Sequence, residues 1–197
     1  ALGSTSLYVN KENSLKHFLY YRMKNKIGLN GINMSNKVCE NYISIIKKKK
    51  IKYLYGYASS IYMLSKYVIK KSISIDIEIC FTTSEVLTDI FRKTIKTAFN
   101  SKILDCYGAN DGGISAFEHE KGFFEVSYNS LVRQKEIINN KGSLLVTDLL
   151  NYSMPLINYQ IGDNVVINSN KNKTSLYNGQ IINKILGRIS EVIELEN

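Results

Sequence analysis

Apolar positions along the chain change their period twice. Leu15, Phe18, Leu19, Met23 and Ile27, and then Val38, Tyr42, Ile45 and Ile46, recur three and four residues apart, so two amphipathic helices are predicted before residue 50. Ile51, Tyr53 and Tyr55 alternate as a short strand, residues 56–60 read as a turn with serine capping, and Ile61, Leu64, Tyr67 and Val68 resume the helical period. Residues 73–81 read as a second strand, 82–85 as a loop and N-cap, 86–99 as a helix and 102–106 as a third strand. Beyond Gly113 the helical period is lost. Short apolar runs at 114–117, 123–128, 131–137, 143–147, 156–159, 164–167 and 181–185 are separated by turns such as 139–142 and 168–173. The pattern predicts an α/β chain: a parallel sheet with covering helices, followed by a mostly antiparallel β portion.

Composition changes this picture little. A chain of 197 residues is long enough to bury a proper core. Lys and Arg number 26 against 17 Asp and Glu, a formal charge of +9 that suits an anionic partner. Lysine is abundant along the whole chain, however, and the run 47–50 closes a helical segment, where cations favour the negative end of the dipole. No stripe of arginines with interleaved aromatics accompanies the run, so nucleic acid is an unfavoured partner. Cys39, Cys80 and Cys106 are scattered among apolar residues, which indicates neither a disulfide framework nor a metal site and fits a reducing cytoplasm. No apolar run approaches the roughly 20 residues that a membrane-spanning helix needs.

Candidate chemistry follows from the topology. Ligands of open α/β sheets bind beyond the C-terminal ends of the strands. By this reading two loops lie there: Thr82-Thr83-Ser84-Glu85 after the second strand, and residues 107–113, "YGANDGG", after the third. Hydroxyls, an amide and the carboxylates of Glu85 and Asp111 could converge there, with Tyr107 as a flat wall. Helix caps and a glycine turn explain the same residues without any ligand.

Five stretches, in order, tip that balance. "KYLYGYASSIYMLSKYV" (52–68), "FTTSEVLTDIFRKTIKTAF" (81–99), "YGANDGG" (107–113), "MPLINYQIGD" (154–163) and "LGRISEVIEL" (186–195) together resemble the motifs of the adenylate-forming enzymes, in the phenylacetate-CoA ligase-like, CapK-type branch. The resemblance implies part of the large N-terminal domain of such an enzyme, with 1–113 as its α/β nucleotide-binding part, 114–187 as a β-rich part of the same domain and 188–197 as a hinge. It also implies the activity: a carboxylic acid is activated with ATP and Mg²⁺ to an acyl-adenylate and then passed to a thiol such as coenzyme A, in an anabolic role such as surface polysaccharide assembly.

The same resemblance implies roles for residues. Tyr107 would stack on adenine, with Gly108 and Ala109 as a shape-selective backbone turn. Asn110 would contact phosphate and Asp111 would face Mg²⁺, where the family usually has Thr and Glu. Asp163 would accept both ribose hydroxyls, Arg188 would neutralise charge near the nucleotide, and Ser84 and Glu85 would border the acyl and adenine pocket. Ser4 and Thr5 match part of the phosphate loop.

The departures matter too. Asn158 and Gln160 stand where the family usually carries arginines, and the small C-terminal domain with its lysine is absent from this sequence. A catalytically inactive nucleotide-binding homologue is therefore one alternative, and a basic nucleic-acid or surface-binding module is another. His119 is read as a lone histidine outside any metal site.

Overall fold

The structure, a computed structural model, describes residues 1–3, 19, 22–119, 122–138, 141–167 and 180–188. The chain divides into two compact units, Ala1–Leu104 and Asp105–Asn197. Most of the first helix expected from sequence lies outside the described residues, although Arg22 and Met23 are helical.

In the first unit, β1 (Leu2–Gly3), β2 (Leu29–Asn30), β3 (Tyr53–Tyr57) and β4 (Ile79–Thr83) run parallel in the order β2-β1-β3-β4. Gly56 is required where it stands. It lies opposite Leu2 in the register, and a Cβ there would overlap the Leu2 carbonyl oxygen. Helices α1 (Asn36–Lys49), α2 (Ala58–Lys70) and α3 (Asp89–Phe99) accompany the strands. Helix α1 buries Cys39, Tyr42, Ile43 and Ile46, the spacing of one helical face, and starts where the Ser35 hydroxyl accepts from the Val38 N–H. It ends in lysines, with Lys50 in the left-handed region at φ 50°. The core of the unit joins this face to Leu54, Ile61, Leu64, Val68, Ile77, Ile95 and Phe99. Each fully buried large aliphatic or aromatic side chain there contributes about 1.5–3 kcal/mol relative to exposure.

Several expected boundaries move. Residues 73–78 form no strand: Ile73, Ile75 and Ile77 alternate because they pack on the core, while the ladder begins at Ile79 and runs on through the buried Thr82 and Thr83. The turn expected at 56–60 is absent, since β3 passes directly into α2 at Ala58. The helix expected from 86 starts at Asp89, because Thr88 caps it with its hydroxyl 3.3 Å from the Phe91 nitrogen.

Among the described residues of the second unit every pairing is antiparallel. Residues of β5 (Lys102–Ala109) pair with β6 (Ile114–Glu118), β6 with β7 (Phe124–Val126) and β7 with β11 (Ile181–Ile182). A four-stranded sheet follows the order β12-β10-β9-β8, from β8 (Ser130–Ile138), β9 (Lys141–Asp148), β10 (Tyr159–Val166) and β12 (Lys184–Arg188). Of the run expected at 156–159 only Tyr159 is in a strand, and it begins β10, which continues into the run expected at 164–167 and is irregular between Gln160 and Asn164, where Gly162 takes φ 92°. Ile114, Phe124, Val126, Leu144, Val146, Val165 and Ile182 form its core. No helix among the described residues is long and apolar enough to cross a membrane.

Candidate functional site

The two units contribute separate sets of candidate residues. In the first, β4 delivers Ser84 and Glu85. Ser84 takes φ 66° and caps no helix, so N-capping, its structural alternative, is set aside: the cap of α3 is Thr88. Glu85 has a definite partner. Its carboxylate accepts from the Ser59 N–H at 2.7 Å and from the Ser59 hydroxyl at 2.9 Å. Helix α2 has no side-chain cap from Tyr57 and no acid in its own first turn, so Glu85 supplies the negative charge that the helix N-terminus favours. Beyond the C-terminal ends of β2 and β3 lies an open cleft of about 360 Å³, lined by Gly31, Met34, Ser59, Ser60 and Met63 among others. Ser60 ties its wall together by donating to the Gly31 carbonyl at 2.7 Å.

In the second unit β5 carries Tyr107 and β10 carries Asp163, and the two meet. The Tyr107 hydroxyl donates to Asp163 Oδ2 at 2.5 Å. Arg188, opposite Asp163 in the β10–β12 register, places Nε 3.7 Å from Oδ1. Asp163 is only 8% exposed. Burial, then the hydrogen bond to Asp163, then the negative charges of Asp163 and Asp111, push the Tyr107 hydroxyl far above its ordinary range, with Arg188 acting in the opposite sense. Tyr107 is therefore a fixed donor at any physiological pH. Asp111 projects from the turn that joins β5 to β6, exposed, with the Tyr159 hydroxyl 3.5 Å from Oδ2, and Asn110 beside it is exposed as well.

Three residues differ from their expected setting. Gly108 and Ala109 do not form a turn: they are ladder residues opposite Ser115 and Ile114, and the turn is 110–113. Asp163 lies inside β10, buried and hydrogen-bonded, in the gap between the runs expected at 156–159 and 164–167. The structure thus brings Tyr107, Asp111, Asp163 and Arg188 into one electrostatic cluster. Ser4 and Thr5 lie outside the described residues.

Asn158, where the motif resemblance leads one to expect arginine, adopts φ 51°, a left-handed conformation that asparagine tolerates better than most residues. Its N–H donates to the Thr147 hydroxyl at 3.1 Å. His119 is half-buried and stacks on Phe123, ring centroids 4.8 Å apart. Among the described residues no group of three His, Cys, Asp or Glu side chains could by itself hold a metal ion.

Sequence reading missed four residues that shape these sites. Ser59 receives Glu85, and Asn129, Ser130 and Asp148 surround Gly113. No local pattern marks them, because each acts across 17 or more residues of chain, except for Asn129 at 16. The positive φ of Gly113 is the one clue, and glycine-glycine in a turn is its only trace in sequence.

No family model matches the chain. It is 23% identical to the protein CapK of Staphylococcus aureus over 197 residues, covering 98% of this chain and 44% of CapK. It is 27% identical over 143 residues to the indoleacetate–lysine synthetase of Pseudomonas savastanoi, covering 71% of this chain and 35% of that protein. Among solved structures it resembles a 2-hydroxyisobutyryl-CoA ligase in complex with 2-HIB-AMP, with a TM-score of 0.67 and 15% identity over 85% of this chain and 38% of that one. It also resembles the coronafacic acid ligase of Pectobacterium brasiliense, with a TM-score of 0.58 and 16% identity over 87% of this chain and 35% of that one. The chain thus spans less than half the length of each. The likeness that the motifs carry, to adenylate-forming ligases of the CapK-like branch, holds along almost the whole chain, and the fold class is that of their large N-terminal domain.

Proposed function

We propose that this chain, similar in sequence to CapK and in fold to adenylate-forming ligases, is the nucleotide-binding portion of an enzyme that activates a carboxylic acid with ATP. One observation supports the reading: a buried carboxylate, Asp163, is held between the Tyr107 hydroxyl and Arg188, three residues that the motifs single out. A carboxylate offers about four lone-pair sites. Tyr107 uses one of them, and others remain for the vicinal hydroxyls of a ribose. The same tyrosine presents a ring face to a purine. Arg188, exposed and close to Asp163, supplies positive charge near a nucleotide; at this exposure its ion pair contributes little to stability.

In the reaction the acid's carboxylate oxygen attacks the α-phosphorus of ATP, the α–β phosphoanhydride bond breaks, and pyrophosphate leaves as the acyl-adenylate forms. Asn110 donates to a phosphoryl oxygen. Asp111 fits the protein side of a Mg²⁺ site, since this ion is commonly held by one or two carboxylates with the remaining positions filled by phosphate and water. When bound, the ion neutralises phosphate charge. Among neighbours, the 2-hydroxyisobutyryl-CoA ligase is described with an acyl-AMP and coenzyme A, which supports a thiol such as coenzyme A as the acceptor here. The absence of arginine at Asn158 and Gln160 favours a second reading, in which the chain binds nucleotide without turnover.

Calorimetric titration of ATP and 2′-deoxy-ATP tests the assignment. Wild type should prefer the ribose form, and Asp163→Ala should weaken ATP binding by roughly ten- to a hundred-fold, the loss of one to two hydrogen bonds to a charged group. Equal affinities for the two sugars in the wild type would take Asp163 out of the site.

A further inference from the structure

The turn that carries Asn110 and Asp111 is fastened at its far end by residues outside every motif. The Gly113 carbonyl accepts two side-chain hydrogen bonds, from Asn129 Nδ2 at 2.9 Å and from the Ser130 hydroxyl at 2.9 Å. Ser130 is only 4% exposed, and Asn129 Oδ1 is buried without a hydrogen-bond partner. Gly113 has φ 66°, and a Cβ on it would overlap the Asp148 carboxylate, so the turn is walled in as well as tied. On its other side a Cβ at Gly112 would come within 2.8 Å of Ile161 Cδ1, in β10. Asp148 is itself fixed: Oδ1 accepts from the Leu150 N–H at 2.9 Å, and its own N–H donates to the Leu156 carbonyl at 3.1 Å. The Asn129 carbonyl accepts from the Leu149 N–H at 2.9 Å. Asn129 therefore stands where the Asp111 turn, the end of β9 and the loop leading into β10 meet.

We infer that Asn129 and Ser130 are positioning residues for the Asn110–Asp111 turn, setting through the Gly113 carbonyl where the Asp111 carboxylate stands relative to Tyr107 and Asp163. The inference rests on the proposed adenylation reading. Glycine at positive φ leaves the end of a short turn conformationally permissive, and two side-chain donors on one carbonyl restrict it. The chemistry affected is that of phosphate and metal, which the turn would meet, and not that of the ribose, which Asp163 would meet from β10.

That separation gives the test. Calorimetry on the full chain measures the affinity for adenosine without metal and for ATP with Mg²⁺, in wild type, in Asn129→Ala, in Ser130→Ala, in the double variant and in Ser130→Thr, which keeps the hydroxyl. The double variant should lose about tenfold in affinity for Mg-ATP, as expected for two lost neutral hydrogen bonds transmitted in part, and each single variant less. Adenosine affinity should stay within about twofold of wild type throughout, and Ser130→Thr should bind both ligands as wild type does. The single variants carry the test if the double variant does not fold. Losses of both ligands in proportion, or of neither, would overturn the inference. A wild type that binds neither would instead overturn the adenylation reading beneath it.

Discussion

A single hydroxyl decides how the candidate nucleotide site is held. Tyr107, half-buried, donates to the buried Asp163, so the pair is far more informative than the ion pair with the exposed Arg188. Removing only the donor, in Tyr107→Phe, leaves the carboxylate without its closest partner and should lower folding stability by about 1–3 kcal/mol at neutral pH, read by urea denaturation. The pH dependence has a defined sign. The folded-state ionisation of Tyr107 lies above its ordinary value of 10, so the contribution of this hydroxyl is fully present below pH 10 and is lost as pH rises beyond it, when the unfolded chain ionises and the folded one does not. Stability of the wild type should therefore fall more steeply above pH 10 than that of Tyr107→Phe. Parallel curves would mean that Tyr107 is not confined as described. Asp163 and Tyr107 were singled out in the sequence through their motifs. Their contact, 56 residues apart in the chain, was not, because no periodicity links β5 to β10.

Among the elements, the parallel strands of the first unit depend on glycine at one crossing. Gly56 faces Leu2 with no room for a methyl group, so Gly56→Ala should push β1 from β3 and cost several kcal/mol, on the order of a large core defect. Thermal unfolding read by circular dichroism would check it, and a transition temperature unchanged from wild type would show that the strands can part without cost. The helices of this unit were readable because their buried faces repeat at three and four residues, as Cys39, Tyr42, Ile43 and Ile46 do. Strand limits were less readable. Ile73, Ile75 and Ile77 alternate like a strand yet join the core without the ladder, whereas Thr82 and Thr83 look like a loop yet are buried in β4. Alternation reports which side chains are covered, and hydrogen-bond pairing is decided by the neighbouring strand. Glu85 illustrates the same limit: its sequence motif suggests a ligand pocket, and in the structure its carboxylate holds the start of α2 through Ser59.

For the molecule as a whole, fold class and motif order were legible, since a parallel α/β pattern followed by antiparallel strands needs only the change in hydrophobic period near Gly113. The long-range fastening of the Asp111 turn by Asn129 and Ser130, and the burial of Asp163, required three dimensions. What separates an adenylating enzyme from an inactive nucleotide-binding relative is turnover. The deciding measurement is exchange of labelled pyrophosphate into ATP by the full chain with Mg²⁺ and a panel of aliphatic, aromatic and hydroxylated carboxylic acids. Exchange that depends on one of these acids, and that falls by at least about tenfold in Asp163→Ala, is the expected result. ATP binding with no exchange for any acid would contradict the catalytic claim and leave a protein that holds the nucleotide without using it.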